Sequence, residues 1–241
     1  MTTASDTDNA DNTNKAGENP VLQLDIISDV ICPWCYIGKR KLDAALASLG
    51  DVPVNLMWRP FQLDPATPSQ GYDREKQMRA KFGADGGKHI MKNIMAVAEG
   101  TGINFAFDKI TRTPNTMNAH RLIRWAASTG LQHQVAETLF SRYFEQGQDI
   151  GETEVLLDIA AAHDMDTALI ARLLASDADI EQTRNDDAAA RDLGVTGVPG
   201  FLVGGKMLVV GAQEPETLAR FFQKAQSKLA QQNQAAANSA N

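Results

Sequence analysis

Residues 21–58 change hydrophobic period twice, and that alternation limits the fold more than any other feature of the chain. Residues 21–28 (Val-Leu-Gln-Leu-Asp-Ile-Ile-Ser) put Leu22, Leu24 and Ile26 on one face and Ile27 on the other, as in a strand. Residues 36–49 carry a helical apolar stripe of Ile37, Leu42, Ala45, Leu46 and Leu49, softened by Lys41 and stopped by Gly50. Residues 52–58 return to a strand pattern that ends at Arg59-Pro60. Strand, helix and strand in so short a span predict a parallel βαβ unit, because parallel strands need a crossover between them.

The middle of the chain has helical periodicity throughout. Helices are predicted over residues 73–82, 88–99, 116–129, 131–146, 152–163, 166–175 and 177–193, punctuated by glycines, with Asp149 and Glu152 as a capping pair. Strands return at 200–203 and 206–210 around Gly204-Gly205, a hairpin signal, and residues 214–228 close the pattern as a helix. The predicted class is α/β: a split unit made of residues 20–70 and 194–230, interrupted by an all-helical insertion at 71–193. Residues 1–19 are polar and aperiodic and are expected to be a flexible tail; so are residues 231–241, where Ala and Gln could extend the last helix but no apolar stripe would hold it down.

Composition narrows the function classes. With 241 residues, 43% apolar, the chain is long enough to bury a core without disulfide staples. A net charge of −7 argues against a nucleic-acid partner, and no apolar run is long enough to span a membrane. The acidic start has neither the basic residues nor the apolar stretch of a secretory signal, so a cytoplasmic location is expected. No GxGxxG or P-loop pattern is present, and no bound cofactor is expected.

Only two cysteines occur, in Cys32-Pro33-Trp34-Cys35 at the junction of the first strand and helix. Proline suits the first helical position, which makes Cys32 the N-cap. Its sulfur would then face the free N–H groups of Trp34 and Cys35 and the positive end of the helix dipole, which favour a thiolate. Cys32 is therefore the candidate nucleophile. Cys35, one turn inside the helix, is the candidate resolving thiol, the pair forming a reversible Cys32–Cys35 disulfide. Two other readings stay open. A zinc site needs further ligands, and His89, His120, His133 and His163 have no finger-like spacing, so no metal is expected. The pair could also be inert core cysteines.

The run Ser28-Asp29-Val30-Ile31-Cys32-Pro33-Trp34-Cys35-Tyr36-Ile37-Gly38 resembles the active-site segment of the DsbA-like thioredoxin-fold oxidoreductases. More narrowly it is similar to the FrnE subgroup, which is related to 2-hydroxychromene-2-carboxylate isomerases and kappa-class glutathione transferases. Three further segments share the resemblance: Trp58-Arg59-Pro60-Phe61-Gln62-Leu63, Asn115-Thr116 with Ala119-His120-Arg121-Leu122, and Gly194-Val195-Thr196-Gly197-Val198-Pro199. Together they span about residues 21–225. The resemblance implies a thioredoxin fold with a helical insertion. It also implies a cis bond before Pro199 facing Cys32, and a substrate strand paired with the Val198 backbone beside Thr196. Relatives commonly carry an aromatic residue where this chain has Gly200; the departure would either widen the groove beside the site or loosen the strand, and bears on substrate preference rather than on the redox pair.

The remaining candidates are weaker. Pro33 and Trp34 lie between the cysteines and tune the redox potential; Trp34 brings no titrating charge, so the pair is expected to be less oxidising than that of DsbA. Phe61 either offers an apolar peptide surface or packs against the insertion. Asp25 and Asp29 are carboxylates near the cysteines, with proton relay set against a local structural role. Asn115 and His120 either line the cleft or serve as a helix cap and a buried imidazole. The leading expectation is an enzyme: a thiol–disulfide reductase or isomerase acting on protein or peptide disulfides, with glutathione or another cellular thiol as reductant. A glutathione-dependent isomerase or transferase on a small aromatic or polyketide-like substrate is one alternative, and a redox-sensing binding module is the other.

Overall fold

The computed structural model describes residues 21–85 and 87–239. Its central sheet has strand order β2-β1-β5-β6, where β1 is Leu22–Ser28, β2 Val54–Pro60, β5 Gly200–Val203 and β6 Met207–Val210. β1 and β2 run parallel, with Ile26 opposite Trp58. β5 runs antiparallel to β1, with Ile26 opposite Phe201, and β6 pairs antiparallel with β5. The crossover from β1 to β2 is α1, Pro33–Ser48. This places the start of α1 at the end of the strand that the sheet surrounds on both sides.

The alternation within β1 decides what covers each face. Leu22, Leu24 and Ile26 share a core with Leu42 and Ala45 of α1 and with Leu218 and Phe222 of α9, Pro215–Ser239. Ile27 points the other way, into a smaller cluster with Phe61, Ala190, Val195 and Leu202. Ala190 belongs to α8, Ile180–Asp192, so this helix covers the second face.

The insertion comprises α2 (Arg74–Phe82), α3 (Lys88–Ala98), α4 (Met117–Trp125), α5 (Gln132–Phe144), α6 (Thr153–Ala162), α7 (Thr167–Leu174) and α8. It docks on α1 through aromatic and ionic contacts. Tyr36 stacks on Phe140 of α5 with ring centroids 5.1 Å apart. Lys39, 4% exposed, sits between Asp43 at 2.9 Å and Glu137 at 2.8 Å, and Arg40 reaches Glu137 at 2.6 Å. His133 Nε2 lies 2.6 Å from Asp43.

Several expected features differ. A two-stranded sheet, β3 (Tyr72–Asp73) with β4 (Arg112–Thr113), ties the insertion's entry to its middle; strands of two residues have no readable periodicity. The helix expected over 116–129 ends at Trp125 and tightens into a 3₁₀ turn over Ala126–Thr129 before left-handed Gly130. Asp149 and Glu152 do not form a capping pair: Asp149 Oδ1 instead accepts from the Gly151 N–H at 2.9 Å, and Glu152 caps nothing with its side chain. α8 starts at Ile180 because Asp179 takes a left-handed conformation. α9 continues to Ser239, so the expected flexible tail at 231–241 is helical almost to its end, as Ala and Gln permit. The other expected tail, 1–19, lies outside the described residues.

Candidate active site

Cys32 is the N-cap of α1, with extended backbone (φ −91°, ψ 114°) and Pro33 following. Its N–H donates to the Asp29 carbonyl at 3.0 Å, closing the turn between β1 and the helix. The sulfur does not cap the helix as expected. The Cys35 N–H donates to the Cys32 carbonyl at 3.0 Å, and the Cys32 thiol is turned to the Val198 carbonyl at 3.7 Å. Both cysteines are free thiols and both are buried. Burial pushes the Cys35 thiol well above the usual range, and the neighbouring Cys32 sulfur adds to the rise; Ser28 and the Asp29 backbone pull the other way.

The Val198–Pro199 peptide is cis. Its place against the helix depends on a residue that sequence reasoning missed. A Cβ on Gly38 would lie 2.7 Å from Pro199 Cγ, so only glycine lets α1 come this close to the proline ring. The available signal was a glycine in a helix interior without a turn to explain it. Gly200 is paired with Ile27 of β1 and Val210 of β6, so the strand holds its register at this position. A Cβ there would meet Leu208 Cδ1 at 3.4 Å and Ile27 Cβ at 3.6 Å, ordinary contact distances.

Other candidates lie at varying remove from the cysteines. Pro33 and Trp34 are half-buried, and Trp34 packs against the cluster of Ile37, Ile94 and Ala98, so α3 shields part of its ring. Thr196 is exposed on the loop leading to Val198. Phe61 is not a peptide surface: it is buried, with the Arg191 guanidinium 4.1 Å above its ring, and Leu63 is the exposed residue of that segment. Asp25 pairs with Arg59 at 2.7 Å, and shares the strand face of Ile27, not that of Ser28, so it faces away from the α1 core. Asn115 accepts from the Met117 N–H at 2.9 Å and donates to the Thr67 carbonyl at 2.6 Å, which fixes the start of α4. Asp29 and His120 do come together, with Asp29 Oδ1 3.4 Å from His120 Nε2, in the turn beneath Cys32. No group of three or more His, Cys, Asp or Glu that would hold a metal occurs among the described residues.

A cysteine pair at the start of the first crossover helix, beside a cis-proline at the same end of a mixed four-stranded sheet, defines a thioredoxin-fold dithiol protein. The chain belongs to the DSBA-like thioredoxin domain family, whose model matches residues 23–223. It is therefore an enzyme of the DsbA-family thiol–disulfide oxidoreductase class. The Bacillus subtilis (strain 168) protein YwbO is 25% identical over 210 residues, covering 86% of this chain and 98% of YwbO. A solved structure of a probable DsbA oxidoreductase from Streptomyces coelicolor is 27% identical with a TM-score of 0.76, covering 85% of this chain and 89% of that one. The cytosolic disulfide reductase DsbM from Pseudomonas aeruginosa, solved with GSH, shares the fold at 18% identity and a TM-score of 0.58, covering 88% of this chain and 99% of that one. No described helix is long and apolar enough to cross a membrane.

Proposed function

We propose that the chain reduces or isomerises disulfides of proteins or peptides in the cytoplasm, with glutathione as the thiol that recharges it. The observation that carries this reading is the Cys32 thiol held 3.7 Å from the Val198 carbonyl, beside the cis-proline and with Cys35 buried behind it. An extended substrate strand pairing with the Val198 backbone would bring its disulfide to Cys32. Cys32, as thiolate, attacks one substrate sulfur and releases the other as a thiolate. Cys35 then attacks the Cys32 sulfur, the substrate leaves reduced, and a Cys32–Cys35 disulfide remains. Two glutathione molecules return it to the dithiol and leave as glutathione disulfide. A glutathione-bound cytosolic reductase of the same fold supports that choice of reductant. Substrate preference is set on the Thr196–Val198 loop, with Pro33 and Trp34 tuning the potential.

The test is multiple-turnover reduction of insulin disulfides by glutathione. The wild type is expected to turn over. Cys32→Ser is expected to lose all exchange, and Cys35→Ser to stall as a mixed disulfide detectable by mass. Glutathione-dependent conversion of a small aromatic substrate that survives Cys35→Ser would contradict the dithiol reading and favour an isomerase. A single oxidation without turnover would favour a redox sensor.

A further inference from the structure

The chain is acidic overall, at −7, but its charge is unevenly spread. α2, α3 and the turn between them carry Arg74, Lys76, Arg79, Lys81, Lys88 and Lys92 against Glu75 and Asp85. Neither acid is free. Glu75 pairs with Arg79 at 2.9 Å, and Asp85 accepts from the Gly87 N–H at 3.0 Å and lies 3.1 Å from His89 Nδ1. Asp73, the N-cap of α2, is spent on the Lys76 N–H at 2.9 Å. Lys76, Lys81, Lys88 and Lys92 are exposed, and among the described residues no carboxylate lies within ion-pair distance of them. α2 itself buries no side chain. What this helix presents is charge, and most of it is positive.

Packing holds this surface beside the cysteines. Phe82 ends α2, and a Cβ on Gly87 would lie 3.2 Å from its ring, so the ring rests against the turn that starts α3. Lys81 has its Nζ 5.6 Å from the centre of the same ring, and Lys88 follows Gly87, so the two lysines come to one place. Further along, Ile90, Ile94 and Ala98 of α3 pack with Ile37 and Trp34 of α1 and with Ala212. Trp34 lies between the two cysteines. The Gly211 N–H, next to Ala212, donates to the Pro199 carbonyl at 2.7 Å. α3 therefore borders both the CxxC turn and the cis-proline loop. Lys88 and Lys92 stand on either side of Ile90 in sequence, which turns both away from the packed stripe and towards solvent.

We propose that the α2–α3 surface docks acidic segments of the disulfide-bearing proteins or peptides on which Cys32 acts. This rests on the dithiol reading above and names the substrate class within it. On a molecule that is otherwise strongly acidic, a polyanionic segment is repelled elsewhere and attracted here. Charge then selects the orientation of the partner as well as its identity. A segment held along α3 leaves the strand that carries the disulfide free to pair with the Val198 backbone. Attraction of this kind acts on encounter, so it raises the rate of attack by Cys32 and weakens as salt screens it. The surface makes and breaks no bond, and the exchange chemistry at the cysteines is unchanged. A nucleic acid fits less well, because the acidic remainder of the chain would repel a long polyanion.

The experiment compares two synthetic peptides that are identical around one disulfide, one extended by a run of glutamates and the other by a run of lysines. The uncharged 2-hydroxyethyl disulfide is the reference. Each rate of reduction by the dithiol protein is divided by the reference rate, which removes any change in the reactivity of Cys32 itself. In low salt the wild type is expected to reduce the acidic peptide about 10-fold faster than the basic one, within the range of electrostatic steering. Added salt is expected to close the gap. Lys88→Glu combined with Lys92→Glu is expected to abolish or invert the preference. Lys76→Glu combined with Lys81→Glu is read separately, so failure of one variant to fold leaves the other decisive. Equal rates or a preference for the basic peptide in wild type, or a preference that salt and the folded variants leave intact, would overturn the docking surface. Retention of a single-stranded DNA oligonucleotide by wild type in place of any peptide preference would overturn it too, and assign the patch to nucleic acid. If wild type reduces none of these disulfides, 2-hydroxyethyl disulfide included, the dithiol reading itself has failed and the docking inference falls with it.

Discussion

Gly38 and Arg121 show how much single positions hold up around this site. The Pro199 ring occupies the place where a Gly38 Cβ would lie, at 2.7 Å from Pro199 Cγ. Gly38→Ala gains helix propensity but pushes α1 and the cis-proline loop apart, so a net loss of about 1–3 kcal/mol is expected from chemical denaturation, as for other overpacked sites. Arg121 is wholly buried, and among the described residues no carboxylate lies within ion-pair distance of it; Asp179 and Asp177 act on it only from further away. Its guanidinium donates to the carbonyls of Leu173, Ser176 and Ala178 and to Asn118 Oδ1, clamping the turn between α7 and α8 onto α4. Arg121→Met removes the donor that the Ser176 and Ala178 carbonyls share, while the Leu173 carbonyl keeps the Ser176 N–H and hydroxyl, and a loss of about 3 kcal/mol is expected in the same measurement. Sequence alone did not expose either role. A helical glycine and an arginine inside a motif look ordinary until a distant segment is seen to fill or need the space. Cys32 and Cys35 were legible because their chemistry depends on local spacing and on the helix start, which neighbouring residues determine.

At the scale of elements, the joint between α1 and α5 carries the insertion on the thioredoxin core. Lys39 is nearly inaccessible between Asp43 and Glu137, and it is the cation the two carboxylates share; His133 also reaches Asp43 and Arg40 also reaches Glu137. Lys39→Met is expected to cost about 1–3 kcal/mol, the scale of losing hydrogen bonds to charged groups whose other partners remain. The same helix α5 carries Tyr143, whose phenol is pushed up to about 12 by burial. An acid with a raised folded pKa stabilises fully below its unfolded value near 10 and loses that contribution as pH rises towards 12. Thermal melts of the wild type should therefore fall across that window, and Tyr143→Phe should flatten the fall. A slope unchanged by the substitution would assign the alkaline loss to other groups. Most elements were readable because each had its own signal: alternation in β1, a strand pattern in β2, the Gly204-Gly205 turn beside β5, an apolar stripe in α1 and helical periodicity between glycines in the insertion. The extent of α9 and the short β3–β4 pair were not, because an Ala/Gln-rich run and two-residue strands carry almost no periodic signal.

Over the whole molecule, the order of elements already indicated a core split by a helical insertion. What it left out was how the two parts meet. Phe61 could have been a peptide surface or an insertion contact, and Arg191 of α8 covering it makes it the second; Asp29 finds His120 only because α4 returns to the turn after β1. Long-range contacts of this kind depend on tertiary packing and leave no mark in local pattern. The part of the site in front of Cys32, by contrast, is built mainly from the CxxC turn and the Val198–Pro199 loop. The central claim is that Cys32 and Cys35 interconvert reversibly between dithiol and disulfide. The most direct measurement is equilibration in glutathione buffers of graded ratio, followed by acid quenching, alkylation and mass analysis of the two cysteines. The account predicts a single two-electron transition with a potential at or below about −200 mV, suited to a glutathione-driven reductase or isomerase. Thiols that remain unpaired at every ratio, or carry only glutathione adducts, would contradict it.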